Sequence, residues 1–139
     1  MATRVLVPMD DSEMAERALV YALETHPDAE ITVLHVVGEP SIMMGKAAGL
    51  VLEDDLEEVA KEHAAEIFER ARDLAAEHDT EIETDIGYGS PAKVILNRVE
   101  AFDAVVVGTH GGSLADRLLV GNVSEKVFRR SPVPVTVVR

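Results

Sequence analysis

Three glycines define the chemistry open to this chain. Gly108 closes the apolar run Ala104-Val105-Val106-Val107, Gly111 follows after two intervening residues, and Gly121 after nine more. Glycine at such positions lets backbone N–H groups reach phosphate oxygens with no Cβ in the way. Gly121-Asn122 then opens a helix, whose free N–H groups and positive dipole end attract an anion. A buried strand, a glycine-rich loop and a helix N-terminus in that order form a phosphate site. The competing explanation is that these glycines serve only tight turns. His110, inside the loop, either approaches a phosphate through its backbone or ring or faces solvent. Arg117, between the last two glycines, fits a surface ion pair better than a phosphate contact.

The elements that must hold this loop in place alternate strictly. Arg4 to Asp10 reads as a buried parallel strand, because its apolar residues run on instead of alternating. Asp11-Ser12 offers an N-cap to a helix with Ala15, Ala18, Leu19 and Ala22 on one face, ending near His26-Pro27. Glu30 to Val37 is a second strand. Gly38 to Leu52 is long for a loop in a compact domain, which predicts a mobile flap or partial disorder. A long amphipathic helix runs from about Glu53 to His78, and its periodicity assigns Leu56, Val59, Ala60, His63, Ile67, Ala71, Leu74 and Ala75 to the inner face. Glu81 to Gly87 alternates as an exposed edge strand should. Ser90 at the N-cap and Pro91 at the first helical position open the next helix, which carries Val94, Ile95, Val99 and Phe102. Ala104 to Val107 is the most apolar strand, hence central. Val123, Val127 and Phe128 mark the last helix and Val133 to Val138 the last strand.

Five such units predict a Rossmann-like or flavodoxin-like α/β fold: a five-stranded parallel sheet of order 3-2-1-4-5, helices on both faces, one domain over residues 1–139. Ligands of such sheets sit beyond the carboxyl ends of the strands at the switch point. With the first and fourth strands adjacent at the centre, Asp10 and Gly108 emerge side by side at one crevice.

Composition narrows the partners. Apolar residues make up 47% of 139, enough for a sizeable single core and too many for a disordered chain. Asp and Glu total 26 against 13 Lys and Arg, a net charge of −13, which argues against a nucleic-acid partner. An acidic surface with few Lys is also what adaptation to molar salt produces, where the Debye length falls to roughly 3 Å; that reading predicts a fold weakened by removing salt. No apolar run is long enough to span a membrane, nothing at the N-terminus reads as a signal peptide, and cysteine is absent, so a cytoplasmic protein is expected.

The whole chain resembles the universal stress proteins, small α/β domains that often bind ATP. The resemblance is carried by Val5-Leu6-Val7-Pro8-Met9-Asp10 with Ser12, by Leu34-His35-Val36, by Gly89-Ser90-Pro91 and by Ser131-Pro132-Val133-Pro134-Val135. Its most specific part is Val107-Gly108-Thr109-His110-Gly111 through Gly121 to Val123 and Ser124. The ATP-binding branch of that family has this glycine pattern, with Ser or Thr after the last glycine. Here Asn122 stands instead. Asn can cap a helix, Asn122 and Glu125 mimic a capping box, and the amide can donate to a phosphate oxygen. Ser124, slightly further on, offers a hydroxyl.

The resemblance implies that Asp10 contacts the nucleoside, accepting from ribose hydroxyls or the adenine amino group; the alternatives are a capping or magnesium-facing acid. It implies that Val36 packs on the adenine, where plain core is equally ordinary, and that Pro8 shapes the strand end. ATP, or AMP or ADP, is the implied ligand, with Mg through its phosphates. The family often dimerises through its last strand, and residues 133–138 form an apolar edge open to a second copy.

Other motifs fail. Gly87-Tyr88-Gly89-Ser90-Pro91-Ala92 fits the dinucleotide fingerprint, yet it follows an edge-type strand and no acid ends the next one. Lys46 follows Gly45 without the second glycine of a P-loop. Asp10-Asp11-Ser12 lacks the glycines of a pyrophosphate loop. The histidines at 26, 35, 63, 78 and 110 have no metal spacing, and no nucleophile is paired with a base. The expectation is a regulatory ATP-binding protein with little or slow hydrolysis. A nucleotide-independent dimeric adaptor and a slow ATPase are the alternatives.

Overall fold

The computed structural model describes residues 3–38, 53–109 and 122–139, with backbone alone at 53–56 and 122. The chain runs β1 (Arg4–Pro8), α1 (Glu13–Thr25), β2 (Glu30–Val37), α2 (Glu53–Glu77), β3 (Glu83–Tyr88), α3 (Pro91–Arg98), a 3-10 turn (Val99–Ala101), β4 (Ala104–Gly108), α4 (Asn122–Arg130) and β5 (Val135–Val138). All pairings are parallel and the order is β3-β2-β1-β4-β5. The expected topology holds, with the first and fourth strands adjacent and the third and fifth at the edges.

Alternation along the central strands explains the layers. Val5, Val7 and Met9 point to one face with Ile31, Val33 and Val106, where α1 and α2 cover them through Leu19, Leu23, Ile67 and Leu74. Leu6, Leu34, Val105 and Val107 point to the other, under Ile95 and Val99 and Val127 of α4. Each fully buried aliphatic side chain contributes about 1.5–3 kcal/mol of transfer free energy. Because β1 and β4 are covered on both faces, their near-continuous apolar sequence is a requirement of position.

Several boundaries and faces differ from the sequence reading. β1 ends at Pro8, two residues short of Asp10, and β5 begins at Val135, leaving Val133 and Pro134 in a turn that Ser131 Oγ closes by donating to the Val133 carbonyl at 2.8 Å. Phe102 lies outside α3, beyond the 3-10 turn. Among the described side chains of α2, which do not include Leu56, the buried ones are Ala64, Ile67, Ala71, Leu74 and Ala75, whereas Val59 is 58% exposed and His63 is exposed as well. The reason is length. Twenty-five helical residues span ~37 Å at 1.5 Å each, against ~26 Å for the eight residues of β2 at 3.3 Å. That excess length leaves part of the α2 stripe, Val59 with it, without a strand to cover.

The two glycines of the fingerprint-like stretch have structural reasons. A Cβ on Gly87 would collide with Val94 Cγ1, and Gly89 sits at φ +121°. Ser90 occupies the N-cap of α3, but its side chain makes no capping hydrogen bond.

Candidate functional site

The carboxyl ends of β1 and β4 form the centre of the candidate site. Beyond Pro8, Met9 N–H donates to the Leu34 carbonyl at 2.8 Å, which keeps the chain beside β2 for one more residue. Asp10 is half-buried, and its Oδ1 accepts from Ser12 N–H at 2.9 Å, a local turn that aims the chain into α1. Ser12 then caps α1, its Oγ accepting from Ala15 N–H at 3.1 Å. Glu13 and Glu16 in the first turn complement the positive helix end.

β4 meets this turn from the other side. A Cβ on Gly108 would lie 2.8 Å from the Met14 carbonyl oxygen and 3.1 Å from Met14 Cβ. Gly108 is thus required by the close approach of the first turn of α1. That is a packing reason, which the phosphate reading of this glycine did not contain. Thr109 N–H donates to the Val138 carbonyl at 3.0 Å, extending the β4–β5 ladder beyond the strand. Ser124, in the first turn of α4 and 8% exposed, donates through Oγ to the Thr109 carbonyl at 3.4 Å. The start of α4 is thereby held against the exit of β4.

The sequence-derived site residues divide into groups. Asp10, Gly108 and Ser124 lie at the carboxyl edge with Pro8, and Val36, half-buried near the end of β2, packs on the α3/α4 side of the sheet. Met9 at 5% exposure and Val107 at 4% are core residues, so neither side chain is open to a ligand. Val123 is 38% exposed at the start of α4. Asn122 is the first helical residue of α4 rather than the cap before it. The side chain of Asn122, together with His110, Gly111, Gly121, Arg117 and the segment 39–52, lies outside the described residues.

The sequence reading gave His35 no role at the site. Its Nδ1–H donates to the Met9 carbonyl at 2.9 Å, and its ring meets the ring of His63 edge-on, centroids 5.7 Å apart. His63 Nε2 lies 3.9 Å from Asp11 Oδ2. The available signal was a polar residue near the carboxyl end of an otherwise apolar strand. Among the described residues, no cluster of three or more His, Asp or Glu is arranged to hold a metal, and no helix is long and apolar enough to cross a membrane.

This architecture has many counterparts. Universal stress protein YxiE of Bacillus subtilis is 33% identical over 148 residues, covering all of both chains. Universal stress protein MJ0577 of Methanocaldococcus jannaschii is 31% identical over 156 residues, covering 100% of this chain and 96% of its own. The solved structure of MJ0577 matches with a TM-score of 0.80 and 28% identity, covering 99% of this chain and 96% of that one. More distant structures of the same fold include a universal stress protein in complex with cAMP (24% identical, TM-score 0.66), one from Archaeoglobus fulgidus in complex with dAMP (20%, 0.65) and one from Arabidopsis thaliana with AMP bound (23%, 0.68), each match covering 90% or more of both chains. The universal stress protein family matches residues 1–139, and the chain belongs to that family.

Proposed function

We propose that this chain binds an adenine nucleotide, ATP foremost, at the carboxyl ends of β1, β2 and β4, and acts as a regulatory stress-response protein in the cytoplasm with little or slow hydrolysis. The observation that carries the reading is the adjacency of β1 and β4, which brings Asp10 and the start of the glycine pattern to the switch point of an open parallel sheet. Asp10 and Val36 hold the nucleoside, and Gly108 through Gly111, Gly121 and Ser124 hold the phosphates, with His110 contributing its backbone and Mg arriving on the phosphates. The nucleotide complexes among the structural neighbours support an adenine ligand.

Asn122, in place of Ser or Thr, favours a second reading, a dimeric adaptor that needs no nucleotide. Both readings share a homodimer through β5, whose exposed edge invites an antiparallel copy. Both also share an acidic surface suited to molar salt. Hydrogen exchange in ATP-saturated and ATP-free protein separates them. Nucleotide binding that orders the glycine loop and the 38–52 segment predicts added protection in residues 108–124 and 38–52; unchanged protection in both segments favours the adaptor.

A further inference from the structure

Met9 is clamped at both of its backbone groups by β2. Its N–H donates to Leu34 at 2.8 Å, and its carbonyl accepts from His35 Nδ1 at 2.9 Å. A carbonyl offers only lone pairs, so Nδ1 carries the hydrogen in this arrangement. His35 is 7% exposed, on the α1/α2 side of the sheet, and a buried hydrogen bond of this kind is costly to leave unmade. In a planar trans peptide the carbonyl and the following N–H point in opposite directions. Holding the Met9 oxygen toward His35 therefore turns the Asp10 N–H away from the α1/α2 layer. Among the described residues that N–H donates to no backbone carbonyl. Ser12 N–H occupies Oδ1 of the same residue, leaving Oδ2 as its second acceptor.

We infer that His35 is a positioning residue for the nucleotide site: through its hydrogen bond to the Met9 carbonyl it sets the Met9–Asp10 peptide plane, so that Asp10 presents an N–H donor and a carboxylate acceptor together. This rests on the nucleotide reading above. A nucleoside, which carries both acceptors and donors on its base and ribose, is the ligand chemistry that uses such a pair. His63 is a packing neighbour of His35 and plays no part in the effect. Its contact with Asp11 is 3.9 Å long between side chains 47% and 67% exposed, and pairs of that kind contribute little.

The test is calorimetric titration of the full chain with ATP, for wild type, Asp10→Ala, His35→Asn, His35→Gln, His35→Leu and His63→Ala, with circular dichroism to check folding. Asn places its amide nitrogen about where Nδ1 sits; Gln carries it one bond further. His35→Asn is expected to bind within about threefold of wild type, His35→Gln and His35→Leu to lose roughly tenfold or more, and His63→Ala to match wild type. If His35→Leu does not fold, the Asn and Gln variants decide. Wild-type affinity in the Gln variant overturns the inference, and so does an Asn variant as weak as Gln, which would mean that ring packing matters and the hydrogen bond does not. A wild type without ATP affinity brings down the nucleotide reading and this inference together. A wild type that binds through Asp10 but is indifferent to His35 brings down the inference alone.

Discussion

The two ends of β1 and β4 are built from the same strands and treat their polar groups in opposite ways. At the amino end everything is closed. Arg4 N–H donates to Asp103 Oδ2 at 2.9 Å, its guanidinium donates to the Ala101 carbonyl at 2.8 Å and lies 4.9 Å from the centre of the Phe102 ring, and Glu30 approaches its Nε at 3.8 Å. Asp103 N–H returns a bond to the Arg4 carbonyl at 2.8 Å. At the carboxyl end, among the described residues, the Asp10 N–H donates to no backbone carbonyl and its Oδ2 accepts no hydrogen bond, and β4 ends at the first glycine of the pattern. The amino end closes on its own side chains, whereas the carboxyl end is where ligands of open parallel sheets bind.

Substitutions at the two ends should therefore separate stability from affinity. The largest loss of stability is expected from Gly108→Ala, which forces a Cβ against the Met14 backbone and costs about 2 kcal/mol in denaturant unfolding. This is a structural demand at the binding end, so its effect appears without any ligand. Arg4→Ala should cost about 1–2 kcal/mol, from one hydrogen bond and an exposed cation–π contact, and leave ATP affinity as it was. Asp10→Ala should do the reverse, weakening ATP roughly tenfold while changing stability by under about 1 kcal/mol. If Arg4→Ala weakens ATP as much as Asp10→Ala does, the division between the ends is wrong.

The smallest effect belongs to neither end of the central strands. His78, just past α2, donates through Nδ1 to the Leu74 carbonyl at 2.9 Å and faces Glu24 at 3.6 Å. The Leu74 carbonyl, aided by Glu24 and Glu77 and opposed by partial desolvation, raises its pKa above the ordinary 6.5. A raised folded-state value means that the folded protein holds the proton more tightly. The added stability is thus fully present below the unfolded value and is lost as pH rises through the folded one. His78→Gln should flatten that part of the stability profile, read as melting temperature against pH, and should not alter ATP affinity.

The fold was legible because burial on both faces leaves a mark in composition. The unbroken apolar runs of β1 and β4 identified them as central, and the alternation from Glu81 to Gly87 identified an edge. Helix faces were less legible. Val59 and His63 continue the helical stripe of α2, but a stripe does not say where the sheet beneath it stops. Gly108 was found for an incomplete reason, since a glycine pattern reports that space is needed without naming the neighbour that needs it. His35 was passed over because its partner is a backbone carbonyl, and no pairing of side-chain types in the sequence points to one. Asp10 was legible only as a residue near the carboxyl end of the first strand, because the strand itself stops at Pro8.

The central claim is that the carboxyl-end crevice holds an adenine nucleotide through its glycine loop. Calorimetric titration of the full chain with ATP and AMP against a buffer blank, in molar salt, beside Gly111→Val, tests it most directly. The account predicts saturable ATP binding by wild type, weakened roughly tenfold or more by the valine. Equal behaviour of the two proteins, whether both bind or neither does, would contradict it.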